Sequence, residues 1–286
     1  MHHADLHTHS TASDGALAPA ALVAAAAEAG LGMLALTDHD TVAGLDEAAQ
    51  AATAAGVHLV AGVELSAVWN GTTLHVLGLG IDPAAPAFAA ALKDQASARH
   101  ARADLIAAKL TKLGHVEAVA HARAAAIAPG RVAYGGALTR THFAQALVAT
   151  GSAADFGEAF DRYLGRGRPG YVKGAWCSLE AACELIANAG GHASLAHPLR
   201  YKLSGGALRR LVDAFRAAGG AALEVVSGLA PPHQVAALAG HARRAGLAAT
   251  AGSDFHAPGA KWAALGRLSP LPDGIEDLAP RLASRT

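Results

Sequence analysis

The sequence predicts an α/β fold in which parallel strands are joined by helices, with a helical insertion in the middle of the chain. Three observations predict it. Short apolar segments bounded by turn residues alternate with Ala-rich segments of helical length, the pattern of β-α units rather than of a bundle or a sandwich. A glycine follows each main helical segment, at Gly30, Gly56, Gly190, Gly219 and Gly246, where a left-handed helix end favours it. Between about Ala98 and Tyr171 the alternation stops, and the stretch reads as helices and loops without a buried strand.

The first strand is expected over Ala4 to His7. Pro19 to Ala29 follows as a helix with proline in its first turn, where the missing N–H costs nothing. Met33 to Thr37 is an apolar run too short for a helix and reads as the second strand. Thr41 to Ala55 is the next helix, and His58 to Leu65 and Thr73 to Leu79 are the third and fourth strands. Beyond the insertion, helices are expected over Leu179 to Ala189, Gly205 to Ala218 and Pro232 to Ala245. They alternate with strands over His192 to Ala196, Ala222 to Val226 and Leu247 to Ala251. The insertion ends in Asp161-Arg-Tyr-Leu-Gly-Arg-Gly-Arg-Pro-Gly-Tyr-Val-Lys173, the one locally basic stretch. It is either a solvated loop or an anion-facing one whose glycines let backbone N–H groups approach a ligand. The tail after Leu268 carries no visible chemistry.

Composition narrows the function. The 286 residues are 52% hydrophobic and 16% charged, which excludes a disordered chain. Lys plus Arg (23) balance Asp plus Glu (23), so nothing global favours long nucleic acids or membrane surfaces. No apolar run spans a bilayer and no signal peptide is visible; the cytoplasm is the expected location. Cys177 and Cys183 form no CxxC pair, which argues against a thiolate cluster. Against two cysteines stand sixteen histidines, and that excess needs explaining.

His7 and His9 lie two apart at the end of a strand, so their side chains point the same way and can grip one metal ion. Asp14 follows in a Ser-Asp-Gly turn. Asp38-His39-Asp40 ends the second strand, Glu64 the third, and His75 sits in the fourth. His197 follows a strand and precedes Pro198, and Asp254 and His256 follow the last strand. These places correspond to the rim where an α/β barrel assembles a site from separate loops. Buried imidazole and carboxylate together are costly unless paired or coordinated, so a polynuclear metal site is expected. Without thiolate, the ligand types suit Zn, Mn or Fe.

The segments Asp5-Leu-His-Thr-His9 with Ser13-Asp-Gly15, Leu36-Thr-Asp-His-Asp40 with Gly44, Gly62-Val-Glu64, His75, Ala196-His-Pro198 and Gly252-Ser-Asp-Phe-His256 resemble the polymerase and histidinol phosphatase (PHP) family. The resemblance implies a distorted (β/α)7 barrel built from residues 1–97 and 172–286, with residues 98–171 as a helical cap. It implies three divalent metal ions, Mn foremost with Zn or Fe as alternatives. One would take His7, His9, Glu64 and Asp254, the second Glu64, His75 and His197, and the third Asp14, His39 and His256. Some relatives carry His where Asp14 stands. Glu64, Asp254 and His197 would be catalytic, with a hydroxide held between two metals at Glu64 as nucleophile. Asp38 or Asp40 would orient an imidazole or cap a strand end.

Within the family, Arg140-Thr-His-Phe-Ala144, Pro169-Gly-Tyr-Val172 and Ser253-Asp-Phe-His-Ala-Pro258 resemble small enzymes acting on nucleoside 3′,5′-bisphosphates or short oligoribonucleotides. Hydrolysis of the 3′-phosphate of a bisphosphate is the leading expectation, and 5′-to-3′ trimming of short RNA is the second. Histidinol phosphate hydrolysis and a metal-stabilised scaffold without turnover are the alternatives. Arg140, Lys173, Arg200 and Ser227 are candidate phosphate contacts, and His142 either binds substrate, protonates a leaving group or is structural. The expected partner is a small phosphorylated nucleotide or short oligonucleotide, with no membrane and no long nucleic acid. Ala-rich helices pack equally well within a barrel and between subunits, which leaves the oligomeric state open.

Overall fold

A computed structural model describes residues 4–128, 131, 137–259 and 263–284. Its strands are β1 (Ala4–Thr8), β2 (Met33–Leu36), β3 (His58–Trp69), β4 (Thr72–Leu79), β5 (Cys177–Ser178), β6 (His192–Leu195), β7 (Ala222–Ser227) and β8 (Ala248–Gly252). Seven of them form a nearly closed barrel in the order β1-β2-β3-β4-β6-β7-β8, and the two-residue β5 pairs with β3. The helices α1 (Pro19–Glu28), α2 (Leu45–Ala55), α7 (Leu179–Asn188), α8 (Gly205–Ala217) and α9 (Pro232–Ala245) connect the strands and bury their apolar faces against them. The last strand meets the first through two backbone bonds: Asp254 N–H donates to His7 O (2.8 Å), and His9 N–H donates to Phe255 O (2.9 Å). A Cβ on Gly252 would stand 2.3 Å from the Cβ of His7, so only glycine lets the two strands approach.

One expectation is corrected. The strands are not all parallel, because β4 runs antiparallel to both β3 and β6. Asn70 and Gly71, at φ 45° and 73°, make the left-handed pair that a two-residue hairpin requires, and no crossover helix separates β3 from β4. The reversal turns the N-terminal half of β4 toward the rim on which the parallel strands end. His75 thereby lies opposite Ser66, two residues past Glu64.

The long helix α3 (Pro86–Lys112) belongs to two cores. Its Phe88 and Leu92 pack with the barrel. Its Ala103, Ile106, Ala107 and Leu110 pack in a separate apolar cluster with Val119 of α4 (Val116–Ala126), Phe143 and Leu147 of α5 (Arg140–Ala149), and Leu164. The short α6 (Phe156–Ala159) and the wide turn Phe160–Leu164 complete this layer. At the other end of the barrel, Leu278 and, in the tail helix α10 (Ala279–Ala283) that it precedes, Leu282 pack beside Met33, Ala222 and Ala248, the first residues of β2, β7 and β8. The tail is a plug. Among the described residues, no helix is long and apolar enough to cross a membrane.

Candidate metal centre

Glu64 is fully buried near the middle of β3, and five imidazoles meet it. Its Oε1 lies 3.4 Å from His7 Nε2, 3.0 Å from His75 Nδ1 and 3.0 Å from His197 Nε2. Its Oε2 lies 2.9 Å from His39 Nδ1 and 3.3 Å from His9 Nε2. Asp254 Oδ1 stands 3.3 Å from His7 Nε2, 3.2 Å from His9 Nε2 and 3.5 Å from His256 Nδ1. Asp14 stands 3.3 Å from His256 Nε2 and 3.9 Å from His39 Nε2.

The chain has to bend sharply to bring these groups together. A Cβ on Gly15 would fall 2.2 Å from His9 O, so the turn carrying Asp14 folds back onto β1 only with glycine there. Asp40, His197 and Asp254 take positive φ (52°, 29° and 53°), a conformation costly for residues with a Cβ and concentrated at functional sites. Surrounding bonds hold them there. Asp40 N–H donates to Glu64 O (3.0 Å), and Glu64 N–H donates to Asp38 O (3.1 Å), which splices the end of β2 onto β3.

Burial opposes charge on Glu64, Asp14 and Asp254, yet the facing groups hold all three carboxyls well below their usual range. For Glu64 these are His39, His75 and His7; for Asp14, His39 and His256; for Asp254, His7 and Arg200. Burial likewise opposes charge on His9, but the facing carboxylates of Asp254 and Glu64 carry it up to about 10, whereas burial takes His39 down to about 4. His7 Nε2, His9 Nε2, His39 Nδ1 and Glu64 Oε2 are buried without a hydrogen bond of sound geometry among the described residues. Lone pairs aimed at common points, from imidazole and carboxylate only, fit hard to borderline divalent cations. The donor atoms group as His9, Asp14, His39 and His256; as His7, His9 and Glu64; as His39, Glu64 and His75; and as His7, His197 and Asp254, each group within 4.8 Å.

The structure thus brings together all nine residues expected as ligands. Arg200 pairs with Asp254 and reaches Ser227 Oγ (3.5 Å). Arg140 begins α5 and lies with its guanidinium over the Phe160 ring. His142 serves the cap of the same helix: its Nδ1 accepts from Thr139 N–H (2.9 Å), Arg131 Nη1 lies 2.8 Å from its Nε2, and burial pushes it down to about 4. Lys173 is exposed, and among the described residues no contact joins it to the histidines.

Among the described residues, neither Asp38 nor Asp40 bonds directly to an imidazole. Asp38 accepts from Ser10 N–H (2.8 Å) and from the hydroxyls of Ser10 and Ser13, and Ser13 Oγ is 3.4 Å from His9 Nδ1. Asp40 accepts from Ser66 N–H, Gln95 and Arg99. Gln95 and Arg99, from α3, escaped the sequence reading, as did Thr139, whose hydroxyl donates to Asp14 (2.9 Å). No local spacing announces them, because each bonds to a residue far away in the chain. Glu224 was legible in principle as a lone charge in the apolar run Ala222 to Val226. It is fully buried and accepts from His7 Nδ1.

Comparison with known proteins agrees with this geometry. The PHP domain family matches residues 5–164, more than half of the chain. The chain belongs to the PHP family. Among PHP relatives, the 5′-3′ exoribonuclease Rnm of Salmonella typhimurium is 45% identical over 274 residues, covering 95% of this chain and 91% of the relative. The 3′,5′-nucleoside bisphosphate phosphatase of Chromobacterium violaceum is 43% identical over 272 residues, covering 95% and 93%. A solved structure described as an amidohydrolase from Chromobacterium violaceum, with bound sulfate and no metal, superposes with a TM-score of 0.91 at 42% identity, over 99% of this chain and 96% of the other. A Bifidobacterium adolescentis structure described as a metal-dependent phosphoesterase superposes at 0.77 with 28% identity, over 99% and 96%.

Proposed function

We propose that this PHP protein is a metal-dependent phosphoesterase that removes the 3′-phosphate from nucleoside 3′,5′-bisphosphates, water and ester giving a nucleoside 5′-monophosphate and inorganic phosphate. The observation that carries it is Glu64, one buried carboxylate shared by five imidazoles at the barrel rim. A carboxylate so placed would be shared between cations. His7, His9, Glu64 and Asp254 would hold one ion, Glu64, His75 and His197 a second, and Asp14, His39 and His256 a third, with Mn foremost and Zn or Fe as alternatives. Bound divalent ions neutralise phosphoryl oxygens and bring the pKa of water toward neutrality.

The chain's own residues position the ester. Arg200, anchored on Asp254 and near Ser227, stands at the open side of the centre with a side chain 42% exposed. That placement suits a phosphate contact. Under the cap, Arg102 and Arg140 form no ion pair with a carboxylate among the described residues. Burial, then the neighbouring Arg140 and Arg99, push Arg102 down to about 9. A substrate anion would relieve that repulsion. The cytoplasmic setting, the small nucleotide substrate and the role of residues 98–171 as a cap belong to the same proposal.

A second reading is 5′-to-3′ trimming of short RNA, supported by the 45% identity to an enzyme named for it. Both reactions use the same hydrolytic centre. The test presents Mn-loaded protein with adenosine 3′,5′-bisphosphate, a short 5′-phosphorylated RNA and histidinol phosphate. Phosphate release from the bisphosphate is expected. An inert bisphosphate with trimmed RNA would establish the second reading instead, and no turnover of any substrate would leave a metal-stabilised scaffold.

A further inference from the structure

Glu224 lies in β7 with no exposed surface, and the other residues from Ala222 to Val226 are apolar. A buried carboxylate costs several kcal/mol unless its oxygens are engaged. Both are, and each bond goes to a residue of the candidate metal centre. Oε1 is 2.8 Å from His7 Nδ1, and Oε2 accepts the backbone N–H of His197. The two partners come from different strands, His7 from β1 and His197 from the end of β6.

We infer that Glu224 is a positioning residue of the metal centre, setting the tautomer of His7 and the backbone of His197 at once. The inference rests on the proposed metal-dependent reading. A carboxylate on Nδ1 keeps the ring proton there and leaves the Nε2 lone pair toward Glu64 and Asp254, where Nε2 is buried without a hydrogen bond. His197 sits at φ 29°, ψ 59°, and the bond from its N–H to Glu224 opposes relaxation toward an ordinary backbone. That backbone places His197 Nε2 3.0 Å from Glu64 Oε1. The chemistry demands a carboxylate. A carboxylate accepts two bonds through two oxygens, whereas an amide of the same shape offers one oxygen and one NH2, and so cannot accept from both His7 and His197.

The test compares wild type, Glu224→Gln and Glu224→Asp. Each is loaded with Mn, challenged with a graded series of a competing chelator, and assayed for retained metal by elemental analysis. Glu224→Gln is expected to weaken retention about 10- to 100-fold, with Glu224→Asp recovering part of the loss because it keeps two acceptor oxygens. Ring ¹⁵N spectra of the protein loaded with diamagnetic Zn are expected to show His7 protonated at Nδ1 alone in wild type and redistributed in Glu224→Gln. Should Glu224→Gln fail to fold, Glu224→Asp and the wild-type tautomer carry the test. Wild type that holds Mn while a folded Glu224→Gln holds it equally well would overturn the inference, as would a wild-type His7 protonated at Nε2. Wild type that holds no Mn at all would instead overturn the metal-dependent reading.

Discussion

At the scale of single residues, the centre is a case of buried charge made tolerable by convergence. Glu64→Ala should abolish phosphate release and reduce bound metal by elemental analysis, because five imidazoles lose their common partner; unchanged metal content would contradict a bridging role. His142 makes a separate prediction. Its imidazole is held near 4, against 6.5 when exposed, so between those values the unfolded chain binds a proton that the folded chain excludes. Stability should therefore fall as pH drops from 6.5 to 4 and lose no more from this group below that. Glutamine is a natural partner in the helix-capping box that His142 forms with Thr139, so His142→Gln should keep the cap. Urea midpoints of chelated wild type and His142→Gln across this window should differ, the variant showing the shallower acid slope.

At the scale of elements, two junctions decide whether the rim exists. The first is the closure of β8 on β1, where Gly252 leaves no room for a methyl group. Gly252→Ala should destabilise the fold by about 1–3 kcal/mol in urea denaturation, since the barrel must open or His7 must shift. The second is the grip of α3 on the loop after β2. Arg99 pairs with Asp40 in the interior and also donates to Ser66 Oγ (3.0 Å). Arg99→Met should cost about 3–5 kcal/mol by the same measurement, because it leaves the Asp40 carboxylate buried without its counter-ion; a cost below 1 kcal/mol would show that water reaches Asp40.

At the scale of the whole molecule, cations that bind the folded rim and not the unfolded chain should raise stability by linkage. Chelation should therefore lower Tm, and restored Mn should raise it with concentration. The sequence by itself determined the β-α alternation, the element boundaries to within a few residues, and the nine residues that converge at the rim, because periodicity, caps and motif spacing are local properties of the chain. Even the reversal of β4 was written there, in Asn70-Gly71. Only the tertiary structure decided the rest: Glu224 behind His7 and His197, Arg99 and Gln95 on Asp40, Thr139 on Asp14, and the tail plugging the barrel. Each of those contacts joins residues remote in the chain, and no spacing rule reaches across a fold. A buried polar group reveals its purpose only when the partner that compensates it is in place.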